Sequence, residues 1–180
     1  MMSWWKRVVA GALLALAALG GAVALWAVMP ERADFDPAPL LDEARRYRVR
    51  ILRDEFGVPH IYGETDADVA YGLGFAHAED DFATLQTVAL ATRGRLASVK
   101  GLEAAPIDYM VQLMRIWERV EARYQNDLTP ETRALAQAYA DGFNHYAALH
   151  PEQVLPGLIP VTGKDVVAGF AFRFPMFYGF

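Results

Sequence analysis

Four histidines, His60, His77, His145 and His150, are the natural acid–base groups of this chain, and no His-Glu-x-x-His spacing sets two of them on one helix face to hold a metal. Beside His77 stand Glu79, Asp80 and Asp81, hard oxygen donors of the kind a divalent ion takes. Residues one and two apart on a helix point in different directions, so these carboxylates cannot easily converge. They read as a solvated helix segment, with Asp80 hydrogen-bonded to a neighbouring loop. His60, within Pro59-His60-Ile61, has no second histidine or carboxylate at a ligand spacing and reads as a buried ring that donates to backbone and locks a turn.

Nucleophiles are scarcer still. There is no cysteine, which excludes a thiolate nucleophile, a disulfide, a cysteine zinc site and a lipidated cysteine anchor. The hydroxyl candidates are Ser3, Ser98 and several threonines, of which Thr65, Thr129 and Thr162 are better explained as helix caps. With no Gly-x-Ser-x-Gly elbow, a self-contained Ser-His-Asp hydrolase is not expected. Gly72 and Gly74 beside Tyr71 lack the G-x-G-x-x-G or Walker spacing, and they read as close helix packing. The densest feature is aromatic: Phe170, Phe172, Phe174, Phe177, Tyr178 and Phe180 crowd into eleven residues. Such a patch aggregates unless something covers it.

The elements that must carry these groups are legible from periodicity. Tyr47, Val49 and Ile51 alternate with Arg46, Arg48 and Arg50, the period of a strand with one buried face. Gly57 and Pro59 then turn the chain into a second extended run, His60 to Tyr62, giving a hairpin. Thr65 with Asp68 three positions on predicts a capped helix that continues through Phe82, Leu85 and Ala89 and stops or bends at Gly94. Met110, Leu113, Met114, Trp117, Val120 and Tyr124 predict one amphipathic helix. Thr129-Pro130 starts another, which should stop near His150 because Pro151 disfavours helix before it. Thr162 and Asp165 cap a last helix, which Pro175 should bend or end.

Four blocks stand out in order: Arg53-Asp54-Glu55-Phe56-Gly57-Val58-Pro59-His60-Ile61-Tyr62, Tyr71-Gly72-Leu73-Gly74-Phe75-Ala76-His77-Ala78-Glu79-Asp80, Arg93-Gly94-Arg95-Leu96-Ala97-Ser98-Val99-Lys100-Gly101 and Tyr139-Ala140-Asp141-Gly142-Phe143-Asn144. Together they resemble the penicillin acylase and acyl-homoserine lactone acylase family of N-terminal-nucleophile amidohydrolases, from about Tyr47 to about Asp165. Asp81 departs from the pattern, standing where many members carry arginine. The resemblance implies an α+β chain, mostly helical with a short β-hairpin, forming part of an αββα sandwich. It also implies that the nucleophile is the first residue of a second subunit released by self-cleavage from the same precursor. No catalytic residue is then expected here, and the chain is expected to be the front of the first subunit, truncated at its C-terminus.

By the same resemblance the substrate is a small N-acyl amide, a penicillin-like β-lactam or an acyl-homoserine lactone. Calcium is implied for the complete enzyme, with this subunit's ligand beyond Phe180, so no metal residue carries over. In the family, the helix after the Asp165-like position supplies bulky side chains to the acyl pocket and moves when substrate enters. A match without gaps puts Phe174 and Tyr178 at the pocket, while aligning the pair Arg173-Phe174 puts Phe170 and Phe174 there. The substrate-binding candidates are thus Phe170, Phe174 and Tyr178, and core packing against the second subunit is the competing reading. A different class of function, a membrane-anchored helical binding module without catalysis, also fits an exposed aromatic end.

Composition sets the remaining bounds. Residues Val8 to Met29 carry no charge, and a helix of that length spans on the order of 33 Å, close to the ~30 Å hydrocarbon core. Lys6 and Arg7 precede it and Glu31, Asp34 and Asp36 follow, which keeps the start in the cytoplasm and exports the rest to a periplasm-like compartment. Length favours a retained transmembrane anchor. Gly20-Gly21 and the small residues Ala22-Val23-Ala24 favour a cleaved signal. The expected organisation is signal or anchor over 1–29, linker over 30–46 with Pro37 and Pro39, and a partial alpha-subunit domain over 47–180. The formal net charge is −5, and without Lys6 and Arg7 there remain 15 basic against 22 acidic side chains. An acidic region without a basic stripe argues against nucleic acid as partner.

Overall fold

The computed structural model describes residues 4–28 and 33–178 in two compact units, one ending at Glu31 and one starting at Arg32. The first unit is a single helix, α1 (Trp4–Val28). Its side-chain surroundings are described only at Trp4, Val8, Val9, residues 11–21 and Val23, all of them exposed. Among the residues so described, no helix is long and apolar enough to cross a membrane. The expectation of an anchor or signal over 1–29 therefore falls partly outside the described residues.

In the second unit, part of the stretch expected to be a linker is folded. Pro37 and Pro39 suit the first turn of a helix, where the missing amide is not needed, and α2 (Ala38–Ala44) forms there. Ala44 is buried against Tyr71 and Ala138, which is why residues 30–46 do not behave as a spacer throughout. The hairpin follows as expected: β1 (Val49–Arg53) pairs antiparallel with β2 (Pro59–Gly63), Ile51 opposite Ile61. Gly57 turns it at φ +82°.

The body of the unit is the crossing of α3 (Asp66–Thr92) on α7 (Pro130–Leu149). Thr65 and Asp68 form the expected capping box, and Asp68 also accepts from the Arg48 amide at 2.7 Å, tying the helix start to the hairpin. Glycine makes the crossing close. A Cβ on Gly74 would lie 2.1 Å from the Tyr139 carbonyl oxygen, and one on Gly142 would lie 2.0 Å from that of Tyr71. Gly72 admits the hairpin in the same way, since a Cβ there would lie 2.6 Å from methyls of both Val49 and Ile61. Leu90 and Leu158 are fully buried in the main core behind this crossing, each worth roughly 1.5–3 kcal/mol of burial.

Two details differ from the periodicity. Asp81 leaves helical geometry inside α3 (φ −151°, ψ 63°), and its carboxylate accepts from the Thr84 amide, capping the helix anew. The single helix expected over Met110–Tyr124 is two, because Arg115 takes a left-handed conformation (φ 52°) between α5 (Ala105–Leu113) and α6 (Ile116–Asp127). That rephases the stripe: Val111, Ile116, Val120 and Tyr124 are buried, while Met110 and Leu113 face outward. Between α3 and α5 lies the short α4 (Ala97–Lys100), at whose start the Leu96 and Ala97 amides donate to the buried Asp108 carboxylate. The last helix, α8 (Gly163–Arg173), packs Ala168 on the α5–α6 cluster and gives way to a 3₁₀ turn, Phe174–Tyr178, where Pro175 was expected to end it.

Candidate functional site

Thr162 and Asp165 start α8 with a reciprocal capping box, the Asp165 carboxylate taking the Thr162 amide and hydroxyl at 2.8 Å each. Beyond Ala168 one face of the helix, with Ala171 and Phe172, stays packed on the α5–α6 cluster, and the other turns to solvent. Phe170 and Phe174, four positions apart and so on one helix face, are 75% and 61% exposed, and Tyr178 is 67% exposed. The Phe174 and Tyr178 rings lie 5.2 Å apart at 52°. The three residues named from sequence therefore share one end of the fold, where they form an open aromatic surface and not an enclosed pocket. Phe180 lies outside the described residues. A cleft of about 310 Å³ lies elsewhere, lined by Thr84, Thr87, Lys100 and Leu155 among others, and its one charged lining residue has no second ionisable group there with which to form an acid–base pair.

The anchorage of this surface was not visible in the sequence. Arg93, at the C-terminal end of α3, reaches across to donate Nε to Asp165 Oδ1 at 2.5 Å and Nη2 to Asp165 Oδ2 at 3.0 Å. Its guanidinium also donates to the carbonyls of Leu158 at 2.6 Å and Pro160 at 2.8 Å. The pair is largely shielded, the side chains being 15% and 2% exposed. Asn144 on α7 brackets Val161, donating to its carbonyl at 2.7 Å and accepting from its amide at 2.9 Å. The only local signal for any of this is Asp165 at a capping position; its arginine lies 72 residues away.

The histidines are structural. His60 is not buried, as expected, but half-exposed, with Nε2 3.2 Å from the Asp54 carboxylate, and Asp54 also accepts from the Phe56 and Val58 amides to shape the turn. The turn is thus locked by Asp54, because His60 alternates with Ile61 and so lies on the hairpin face turned away from α3. His145 Nδ1 and the Tyr71 hydroxyl share a hydrogen bond, and burial lowers the pKa of this ring while pushing Tyr71 up to about 12. Next to them, Tyr47 stacks on Tyr71 with centroids 4.3 Å apart and donates to Asp141 at 2.6 Å. Burial raises the Asp141 carboxyl above the usual range, partly offset by the bonds from Tyr47 and Gln137. His77 pairs with the Tyr139 hydroxyl at 2.7 Å.

Glu79 and Asp80 both hold the Arg53 guanidinium of β1, at 2.6 and 2.8 Å, so Asp80 binds a strand side chain where a loop was expected. A cation is thus already supplied by the chain itself. Among the described residues no three His, Asp or Glu side chains converge to hold a metal ion. Ser98 donates to the Arg95 carbonyl at 2.7 Å, a local turn contact and not a contact with a base.

The four sequence blocks are accordingly scaffold: the hairpin turn, the α3 and α7 faces of the glycine crossing, and the Arg93 anchor. A family model described as penicillin amidase matches residues 48–174. Penicillin G acylase of Escherichia coli is 31% identical over 121 residues, 66% of this chain and 14% of that protein. Acyl-homoserine lactone acylase QuiP of Pseudomonas aeruginosa is 32% identical over 98 residues, 54% of this chain and 12% of that protein. Among solved structures, a thermostable penicillin G acylase from Alcaligenes faecalis aligns with a TM-score of 0.58 at 25% identity, covering 71% of this chain and 72% of that one. The chain spans only a small part of the length of the curated relatives it matches, and on the extent of the family match it belongs to the penicillin amidase family.

Proposed function

We propose that these residues form the non-catalytic front of the first subunit of an exported amidohydrolase that cleaves the acyl amide of N-acyl compounds, penicillin-like β-lactams or acyl-homoserine lactones. The observation that carries the reading is the aromatic surface of Phe170, Phe174 and Tyr178, which stays open to solvent in a chain whose other large aromatic clusters are packed. A second subunit from the same precursor covers it, leaving an apolar cleft for the acyl chain. One relative, of Pseudomonas sp. strain SE83 and 35% identical over 100 residues, is named penicillin acylase 2 proenzyme. The nucleophile, an N-terminal serine activated by its own α-amino group, and the oxyanion donors belong to that second subunit.

Export to the periplasm is supported by the sequence alone, in which Lys6 and Arg7 precede the apolar stretch 8–29, read as a signal or membrane contact. Calcium is implied by the resemblance for the complete enzyme only, with this subunit's ligand beyond Phe180. The acidic group beside the α3 kink is occupied by Arg53.

The test is turnover of phenylacetyl and long-chain acyl amides by the complete precursor and by this chain alone. Hydrolysis is expected only from the precursor. Turnover by the isolated chain above that of its Ser98→Ala variant would place catalysis within these residues and overturn the proposal.

A further inference from the structure

We infer that Arg93 is a positioning residue for acyl-chain selectivity, acting through Asp165 and α8 on the aromatic surface; this rests on the reading that Phe170, Phe174 and Tyr178 wall the acyl pocket. The two ends of α8 are unlike. At its start several polar groups are fixed to other elements. Arg93 of α3 holds both Asp165 oxygens and two carbonyls of the incoming loop, Asn144 of α7 holds Val161, and the Gly163 amide donates to Gln137 of α7 at 3.0 Å. Ala168 is the last fully buried residue of α8; Ala171 and Phe172 still pack on the α5–α6 cluster, while Phe170 and Phe174 stay exposed.

The polar anchor at its start therefore helps set the direction in which the helix runs. From Asp165 to Phe174 the rise is about 13 Å, so a tilt of about 5° at the anchor moves Phe174 by about 1 Å. A displacement of that size matters for positioning a reacting group, where 1 Å can change rate about a hundredfold. Lysine keeps the charge of Arg93 but is a point donor without a planar fork. It cannot hold the two Asp165 oxygens and the Leu158 and Pro160 carbonyls together, and the anchor loosens while Asp165 keeps a counter-charge.

The experiment uses the complete precursor, active-site titrated, with one short-chain and one long-chain acyl p-nitroanilide. Arg93→Lys is expected to shift the ratio of their kcat/KM values by about threefold or more, a fraction of the roughly tenfold that one methylene is worth in an apolar pocket. Gly74→Ala loosens the scaffold without touching the anchor and is expected to lower the melting temperature with the ratio unchanged. If Arg93→Lys lowers the melting temperature but leaves the ratio alone, while Phe174→Leu shifts it, Arg93 is merely structural and the inference fails. If Phe174→Leu also leaves the ratio unchanged, the pocket reading itself is wrong and takes the inference with it. Should Arg93→Lys fail to fold, Asp165→Asn, which weakens the same fork, is read by the same ratio with the same expected shift.

Discussion

Replacing Gly74 by alanine puts a methyl group where the structure has the backbone of another helix. The added Cβ would lie 2.1 Å from the Tyr139 carbonyl oxygen, 2.9 Å from its carbon and 3.1 Å from its Cα. Ordinary carbon–oxygen approaches between helices are about 3.3–3.6 Å, so α3 and α7 must separate locally by about 1 Å. No side chain can turn away to absorb this, because all three obstructing atoms are main chain. A radial gap of that size forfeits a quarter to a half of each dispersion contact, and the surfaces that lose contact include Ala78, Ala138 and Ala140, each 0% exposed. Alanine gains roughly 1 kcal/mol of helix propensity over glycine. Overpacking commonly costs 1–3 kcal/mol and occasionally more, and with rigid backbone as the obstacle the net loss is expected near ~3 kcal/mol.

Gly169→Ala supplies the internal standard. Gly169 lies inside α8 with nothing within 4 Å of an added Cβ, so it reports propensity alone and should stabilise by up to about 1 kcal/mol. Gly142→Ala should resemble Gly74→Ala, and the double variant should cost less than the two losses combined, since both push the same helices apart. Urea unfolding followed by tryptophan fluorescence measures all four variants. Equal stability changes for Gly74→Ala and Gly169→Ala would refute the close-crossing argument.

Other outcomes follow from single contacts. Thr65→Ala removes the hydroxyl that caps α3 and should cost about 1 kcal/mol in the same urea experiment. Arg53→Met breaks an exposed clamp on Glu79 and Asp80 and should cost at most about 1 kcal/mol, with the difference from wild type fading at high salt. Burial lowers the folded-state pKa of His145, so the stability held with the neutral ring is present above its ordinary value of about 6.5 and is lost as pH falls through the lowered one; denaturation midpoints against pH should show an acid limb that His145→Asn lacks. Tyr71 is shifted the other way, so its contribution is complete below about pH 10 and is lost as pH rises through about 12, a limb that Tyr71→Phe should remove.

What could be read from the sequence was mostly local. The capping pairs Thr65 with Asp68 and Thr162 with Asp165 span three residues, and proline at 130 and 151 bounds α7, so the helix limits followed from neighbours along the chain. The packing role of Gly72 and Gly74 was legible because no ligand motif competed for them, although their partner atoms on α7 and the hairpin were not. The break at Arg115 left no signal, since a left-handed arginine is a tertiary outcome that local propensity does not announce. Residues 30–46 were assigned by their prolines and acids, and the pull of a buried Ala44 was invisible. At the candidate site, the aromatic run could be seen but its anchor could not, for Arg93 and Asp165 are joined only by the fold.

The central claim is that the exposed end of α8 is the acyl-pocket wall of an enzyme whose catalytic groups lie in another subunit. Steady-state kinetics of the complete precursor carrying Phe174→Leu, over a series of acyl-chain lengths, test it most directly. Leucine keeps an apolar side chain while giving up volume, so the account predicts that kcat/KM shifts toward bulkier acyl groups, by a discrimination of about 1–3 kcal/mol. A lowered melting temperature with an unchanged chain-length preference would contradict it and make Phe174 a packing residue against the second subunit.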